Sequence, residues 1–469
     1  MTGTPRPLRG RLFRRRPDLP DGPPLSSTMT RTPLLLLALV SAPALAQGPQ
    51  YRAEAGPFLL TDCRIETVTN GVIESGSVAI DADGRIAGVG PTVSAPAGAT
   101  ALSCDGGTVY PGFIDGGTQL GLQEIGSVSE TQDINEVGDV HPQMKALTAV
   151  NPSSALIPVT RVSGVTTALA APSGGLMPGT AALIHLHGYT PDQMAAGFEG
   201  VVLEFPSGGR RGRFDRRSKE AIDKASKEAV EKLDAVWAEA LLYARIDSAR
   251  TARRSTDPLP YQPEAAALLP VLRGATPLLV EVNAAADIQA AIKWLDGKDV
   301  RAVLTGVSEG WRVADEIAAS GLPVITGPVT SLPSRGEDRY DRPYTNAAIL
   351  ASEGVPVALR TTEAENVRNL PFQAGFAVAH GRDLGFSRER ALEAITIVPA
   401  RIFGLEAELG SIETGKQATL FVADGDPFEP ATQVTALFIG GRRVPVVSRH
   451  TELYQEYLNR TPGLVQDSE

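Results

Sequence analysis

The chain has 469 residues, of which 42% are hydrophobic and 21% charged, and a formal net charge of −10. This is the composition of a globular protein, long enough for two domains or for one large barrel with an appendage. The acidic balance argues against nucleic acid as a partner, because phosphate recognition needs clustered Lys and Arg.

Residues 1–28 are rich in Arg and Pro and read as a disordered leader or as a mistaken start upstream of Met29. Residues 29–46 read as a secretory signal peptide. Arg31 precedes the apolar run 34–40, and Ala42-Pro43-Ala44-Leu45-Ala46 forms a small-residue cleavage site. The run is too short to span a bilayer, so no transmembrane span is expected. The expected location is exported, periplasmic or secreted, with cleavage near Ala46. Cleavage there removes seven Arg and two Asp and leaves the mature chain at −15.

Residues 47–112 follow as a small antiparallel β-unit. Runs 59–68, 76–80 and 85–89 are strand-like, with turn signals at Asn70-Gly71 and Asp83-Gly84. The 2 cysteines, Cys63 and Cys104, both fall in this unit. In an oxidising compartment they can pair, and two separate buried thiols are an equal reading.

From about 113 to 402, apolar runs alternate with helical patterns. Runs 166–170, 200–205, 277–282, 302–305 and 356–359 are candidate parallel strands, and helices are expected at 284–295 and 312–319. Such alternation means a parallel α/β sheet or barrel. Residues 209–255 form a charged helical insert, opened by Arg210, Arg211, Arg213, Arg216, Arg217 and Lys219. It reads as a solvated helix, or as a lid or partner surface over the barrel mouth. Residues 403–450 return to β structure, with strands at 433–439 and 444–447, and 451–469 read as a tail. Since β-units flank the α/β region on both sides, the economical architecture is one β-domain assembled from both chain ends.

Specific stretches resemble the amidohydrolase superfamily, in particular its imidazolonepropionase-like and prolidase-like exported members. Asp83-Gly84-Arg85-Ile86-Ala87-Gly88-Val89-Gly90 is similar to the family's "DGRIxxVG", and Tyr110-Pro111-Gly112-Phe113-Ile114-Asp115 to its "PGFID". Gly164-Val165-Thr166-Thr167 matches "GVTT", and the segment from Ala394 to Arg401 matches "AxTxxPA". The segment from Gly410 to Ala418 matches "GSIExGKxAD". The resemblance implies a (β/α)8 TIM-like barrel at 113–402 with a composite β-sandwich from 47–112 and 403–450. It also implies hydrolysis of carbon–nitrogen bonds by a divalent metal, which polarises a carbonyl and acidifies a bound water. The family's ligands are four His and one Asp, with a carboxylated Lys in binuclear members.

At those positions this chain differs. Where the first strand carries "HxH" it has Gly117 and Gln119. Glu281 stands at the His of the fifth strand, Gly306 at that of the sixth, and Thr362 at the Asp of the eighth. The fourth strand, 201–205, has no Lys. A hydrolytic zinc site needs about three protein ligands, and only Glu281 keeps a charged ligand type. The expectation is therefore no cofactor, or else one weakly held divalent ion.

The chain's 5 histidines offer no replacement cluster. His185-Leu186-His187 has metal-ligand spacing but no nearby acidic companion, and it lies in a segment that the resemblance places away from the barrel mouth. His141 precedes a proline, His380 ends a helix and His450 is near the tail. No Gly-x-Ser-x-Gly elbow is present, and residues 84–90 lack the spacing and following helix of a nucleotide loop.

Two functional readings follow. In the first, the chain is catalytically degenerate and binds a small molecule in the barrel mouth, or joins an active relative, or another copy of itself, as a non-catalytic subunit. In the second, it hydrolyses amide or peptide C–N bonds with an unorthodox site of Gln119, Glu281 and Glu363, with Asp115, and with Arg360 orienting an anionic substrate.

Overall fold

The computed structural model describes residues 52–209, 216–253 and 258–460. The leader, the signal peptide and Arg210, Arg211 and Arg213 lie outside the described residues. Strands β1 (Glu54–Ala55), β2 (Phe58–Glu66), β3 (Val72–Ile80), β4 (Ile86–Gly90), β5 (Thr100–Ser103) and β6 (Thr108–Pro111) come first. The barrel strands are β7 (Phe113–Thr118), β8 (Val165–Ala170), β9 (Thr180–His185), β10 (Ala195–Glu204), β11 (Leu278–Val282), β12 (Ala302–Gly306), β13 (Val324–Thr326) and β14 (Val357–Leu359). Strands β15 (Leu420–Ala423), β16 (Val434–Ile439) and β17 (Arg442–Val444) close the list.

Both ends of the chain contribute to one sheet, in the order β1-β17-β16-β15-β6-β2-β3-β4, with β5 on β2. The sheet curls, so that Phe58 and Phe438, from strands that are not neighbours, meet edge to face at 5.3 Å. Alternation along each strand buries Leu60, Ile65, Val78, Ile80, Leu420 and Phe438 in its core. The turns at Gly84 (φ 79°) and Gly441 (φ 75°) pack main chain on main chain. A Cβ on Gly441 would lie 2.0 Å from the Gly84 Cα, so the contact between the two chain ends requires glycine. Cys63 and Cys104 are joined as a disulfide within this sheet domain, which settles the choice between a bridge and two thiols.

The second sheet runs β14-β13-β12-β11-β10-β9-β8-β7. A bridge between Thr118 and Thr362 joins its first and last strands into a TIM-like barrel. Seven strands are parallel, but β9 runs antiparallel to both β8 and β10. The reason is length. Linkers 171–179 and 186–194 are shorter than the dozen or so residues that a parallel crossover needs, so the chain reverses instead. The two cores meet at Phe421, whose ring lies 5.4 Å from Tyr110 and 4.9 Å from Phe113.

The charged segment expected as a solvated helix or lid contains the 33-residue helix Lys219–Thr251, which is the crossover from β10 to β11. Ser218 caps its start, and Leu233, Trp237 and Ala240 recur at helical spacing on its buried face. Trp237 packs 5.3 Å from Trp294 of helix Ala285–Leu295, and Asp234 accepts a 2.9 Å hydrogen bond from the Trp294 indole. Only its outer face is solvated. The expected tail at 451–469 opens in helix Arg449–Leu458, started by a Ser448/Thr451 capping box. No helix among the described residues is long and apolar enough to cross a membrane.

Candidate functional site at the barrel mouth

Alternation sets the site. Val202, Leu279, Val303, Ile325 and Ala358 face inward and, with Ile114 and Leu169, fill the barrel's lower layer. Two residues further along, β10, β11, β12 and β14 therefore present Glu204, Glu281, Thr305 and Arg360 above that layer. Glu204, Glu281 and Thr305 are in-register neighbours on adjacent strands. These residues, with Gly117, Gln119, Ser173 and Thr362, line a cavity of about 300 Å3 whose floor is Leu169, Val202 and Leu279.

Glu281 and Arg360 dominate the cavity. The guanidinium donates from Nη1 to Glu281 Oε2 at 2.6 Å and from Nη2 to Oε1 at 2.8 Å. This is the parallel fork that makes arginine–carboxylate pairs strong and directional. Thr305 Oγ1 donates to Oε2 at 2.8 Å and Asn283 Nδ2 to Oε1 at 3.1 Å, so both carboxylate oxygens are doubly engaged. Burial alone would raise the Glu281 carboxyl, but the charge and hydrogen bonds of Arg360, helped by Thr305 and Asn283, hold it below its ordinary value. Burial likewise works against the Arg360 cation, and Glu281 outweighs it, so the guanidinium is held above its ordinary value. Arg360 Nε and Thr362 Oγ1 are buried without a hydrogen-bond partner.

The pair shapes the glycines around it. A Cβ on Gly306 (φ 85°) would lie 2.6 Å from Glu281 Oε1 and 2.6 Å from Asn283 Oδ1. A Cβ on Gly117 would meet Arg360 Cδ at 3.4 Å. The space that side chains on β7 and β12 would take is filled from β11 and β14.

Of the residues singled out in the sequence, Gly117, Gln119, Glu281, Thr362 and Arg360 converge here. Gln119 donates from Nε2 to Ser173 Oγ at 3.1 Å. Thr362 (φ 70°) serves mainly through its backbone, with its N–H on Gly117 O at 3.0 Å and its carbonyl accepting from Gln119 at 2.9 Å. Glu363 does not join them. It is exposed, and its carboxylate accepts from Asn366 at 2.6 Å. Asp115 is not among the residues lining the cavity. It is fully buried and accepts from Thr361 Oγ1 at 2.6 Å and the Gly117 N–H at 2.9 Å, which fastens β7 to the end of β14. Burial pushes its carboxyl up to about 6, against those hydrogen bonds and the charge of Arg360.

Glu204, which accepts from the Gly174 N–H, was not anticipated as a site residue. Its signal in the sequence is parity, since it holds on the fourth strand the place that Glu281 holds on the fifth. His185 sits at the other end of the barrel. It pairs with Thr167, near the start of β8, because β9 runs backwards. His380 stacks on Tyr344 at 4.7 Å, and His450 is exposed on the last helix. Among the described residues, no three His, Cys, Asp or Glu side chains come together in a way that would hold a metal.

The amidohydrolase family model matches residues 326–444, from the end of β13 through β17. The crystal structure of an amidohydrolase from Thermotoga maritima MSB8 superposes with a TM-score of 0.72 at 22% identity, over 84% of this chain and 100% of that one. A structure of molinate hydrolase matches with a TM-score of 0.52 at 16% identity, over 84% of this chain and 95% of that one. No curated protein matches the chain. The match to the family model is thus confined to residues 326–444, and beyond that segment the chain shares the fold of these amidohydrolase structures.

Proposed function

We propose that this protein is a degenerate amidohydrolase, a pseudoenzyme that uses its barrel mouth to bind a small molecule and performs no metal-assisted hydrolysis. The observation that carries the reading is the Glu281–Arg360 pair. A resident metal needs about three protein ligands with free lone pairs. Glu281 has spent its oxygens on Arg360, Thr305 and Asn283, Gly117 and Gly306 have no donor, and Gln119 offers one neutral amide. The residues present do not fit the group. A guanidinium also supplies the positive charge that an ion would have brought, so a cation would enter against it.

What remains suits binding. The cavity has an apolar floor of Leu169, Val202 and Leu279 and a polar rim that includes Gln119, Ser173 and Thr305. That pattern favours a compact ligand with an apolar body and a polar group. The unorthodox hydrolytic site loses support, because Glu363 and Asp115 do not line the cavity. The same reading accommodates a role as a non-catalytic subunit, paired with itself or with an active relative. The signal-peptide pattern at 29–46 and the Cys63–Cys104 disulfide together favour an exported, periplasmic or secreted protein.

The test is elemental analysis of the purified mature chain, with turnover measured across a panel of amides, dipeptides and cyclic amides. The expected result is far less than one metal ion per chain and no turnover with added zinc, manganese or magnesium. One tightly held ion per chain, or turnover abolished by Glu281→Gln, overturns the proposal.

A further inference from the structure

A second cavity, of about 430 Å3, lies at the opposite end of the barrel, where the turn after β9 meets β17. His185, His187, Tyr189, Gln193 and Arg442 supply its polar lining, and no Asp or Glu lines it. We infer that this cavity is an anion site, which takes a compact oxyanion of the phosphate or carboxylate type between His185, His187 and Arg442.

The argument starts from an uncompensated charge. Arg161 ends the helix Leu156–Arg161 close behind the cavity. Its Nη1 donates to the carbonyl of Leu186, the residue between the two histidines, at 3.0 Å. Its Nε is buried without a partner, and no carboxylate among the described residues pairs with it. A buried cation with no counter-charge is costly, and an anion lodged nearby relieves that cost. Arg442, exposed on β17, adds a second positive charge at the cavity rim.

The imidazoles fit the same ligand. His185 Nδ1 lies 3.3 Å from Thr167 Oγ1 and the ring makes no other hydrogen bond to the described residues; His187 makes none. Burial depresses both rings to about 4, and for His187 the charges of Arg161 and Arg442 add to the effect, so both arginines act electrostatically on this cavity. Neutral imidazoles each keep an N–H to donate. Two of them two residues apart, one ending β9 and one in the turn after it, are also a transition-metal pattern. Here the electrostatics decide, because two guanidinium groups and no carboxylate favour an anion over a cation.

The site is independent of the barrel mouth, and its test is separate from metal content or turnover. The mature chain labelled with 13Cε1-histidine gives 5 resonances, of which those of His141, His380 and His450 serve as internal controls. Inorganic phosphate and acetate are titrated in parallel at constant chloride, and whichever anion acts identifies the class. The expected result is a saturable shift of His185 and His187 alone. Arg442→Ala should weaken it about tenfold or more, the scale of one charge-assisted hydrogen bond, with Arg442→Lys recovering part. Absence of a saturable shift with either anion, or an unchanged response in Arg442→Ala, overturns the inference. So does zinc saturating both imidazoles where the anions do not.

Discussion

Replacing Arg360 with Gln isolates what the mouth ion pair does. The two side chains are 13% and 25% exposed, and they are joined by bonds of 2.6 and 2.8 Å. Removing one member of such a buried pair costs about 3–5 kcal/mol. Glu281 keeps Thr305 and Asn283, which places Arg360→Gln near about 3 kcal/mol by the same scale. Glu281→Gln should cost a similar amount. The double variant should fall short of the sum by about 2 kcal/mol, as expected for directly coupled residues. Urea unfolding of the purified protein measures all three. The pH profile gives a sharper check. In the wild type Glu281 is held below 4.5, so its stabilisation is present above the unfolded value and fades only as pH falls through the lower folded one. Without Arg360, burial is unopposed by any cation and the carboxyl rises. Stability from that group is then present below the unfolded value and lost as pH rises. Asp115, which Arg360 also lowers, moves in the same direction. The deficit of Arg360→Gln should therefore narrow between about pH 7 and about pH 5. A constant or widening deficit, or a coupling below about 0.5 kcal/mol, would refute the assignment of this pair as a mutually dependent ionic unit.

Asp115 has a folded pKa of about 6 against 3.8 unfolded, so its contribution is present below the unfolded value and lost as pH rises through about 6. Asp115→Asn should flatten the stability profile across that window, which thermal melts in a pH series will show. The Cys63–Cys104 bridge closes a sequence separation of 41, and by loop entropy its loss should cost up to about 4 kcal/mol. Denaturation of the Cys63→Ala/Cys104→Ala chain measures this, and an unchanged midpoint would count against a formed bridge. Gly306→His places a Cβ 2.6 Å from Glu281 Oε1 at a φ of 85°, so it should destabilise by about 1–3 kcal/mol and recruit no zinc. Calorimetric zinc titration beside a melt decides that point.

How much of this was legible in the sequence depended on how local each signal was. The barrel and the contribution of both ends to one sheet follow from short motifs whose turns and alternation are encoded within a few residues, such as Asp83-Gly84 and the 113–118 strand. The reversed β9 was not legible as such. Residues 180–185 are a short apolar run, and such a run buried on both faces looks alike in either direction. Only the shortness of its two linkers distinguishes them, and that matters once the neighbouring strands are fixed. Strand β13 spans only Val324–Thr326, too short for any periodicity to register. Pairing of Cys63 with Cys104 needed their geometry, with Cα atoms 5.1 Å apart. Residues 209–255 read as an insert because charge dominates the composition, while the buried stripe that makes the helix a crossover is narrow.

The mouth shows the same division more clearly. Glu281 and Arg360 were each visible from the sequence, one as a surviving ligand type and the other as a substrate-orienting cation. Their union was not, because 79 residues separate them and it exists only when β11 and β14 face each other across a closed barrel. That union explains Gly306. A histidine on β12 would collide with the Glu281 carboxylate as Arg360 holds it, whereas a Cβ at Gly117 on β7 would sit in ordinary contact with the arginine's aliphatic stem. The absence of a side chain at Gly306 and the fork between Glu281 and Arg360 are thus two sides of one packing solution. On the proposed reading, a histidine placed at one of these positions should bind no ion, since it would find no companion ligand with free lone pairs. On the proposed reading, a metal could bind only once the arginine had left and freed the carboxylate, which makes Arg360 the residue on which the chemistry of this barrel mouth turns.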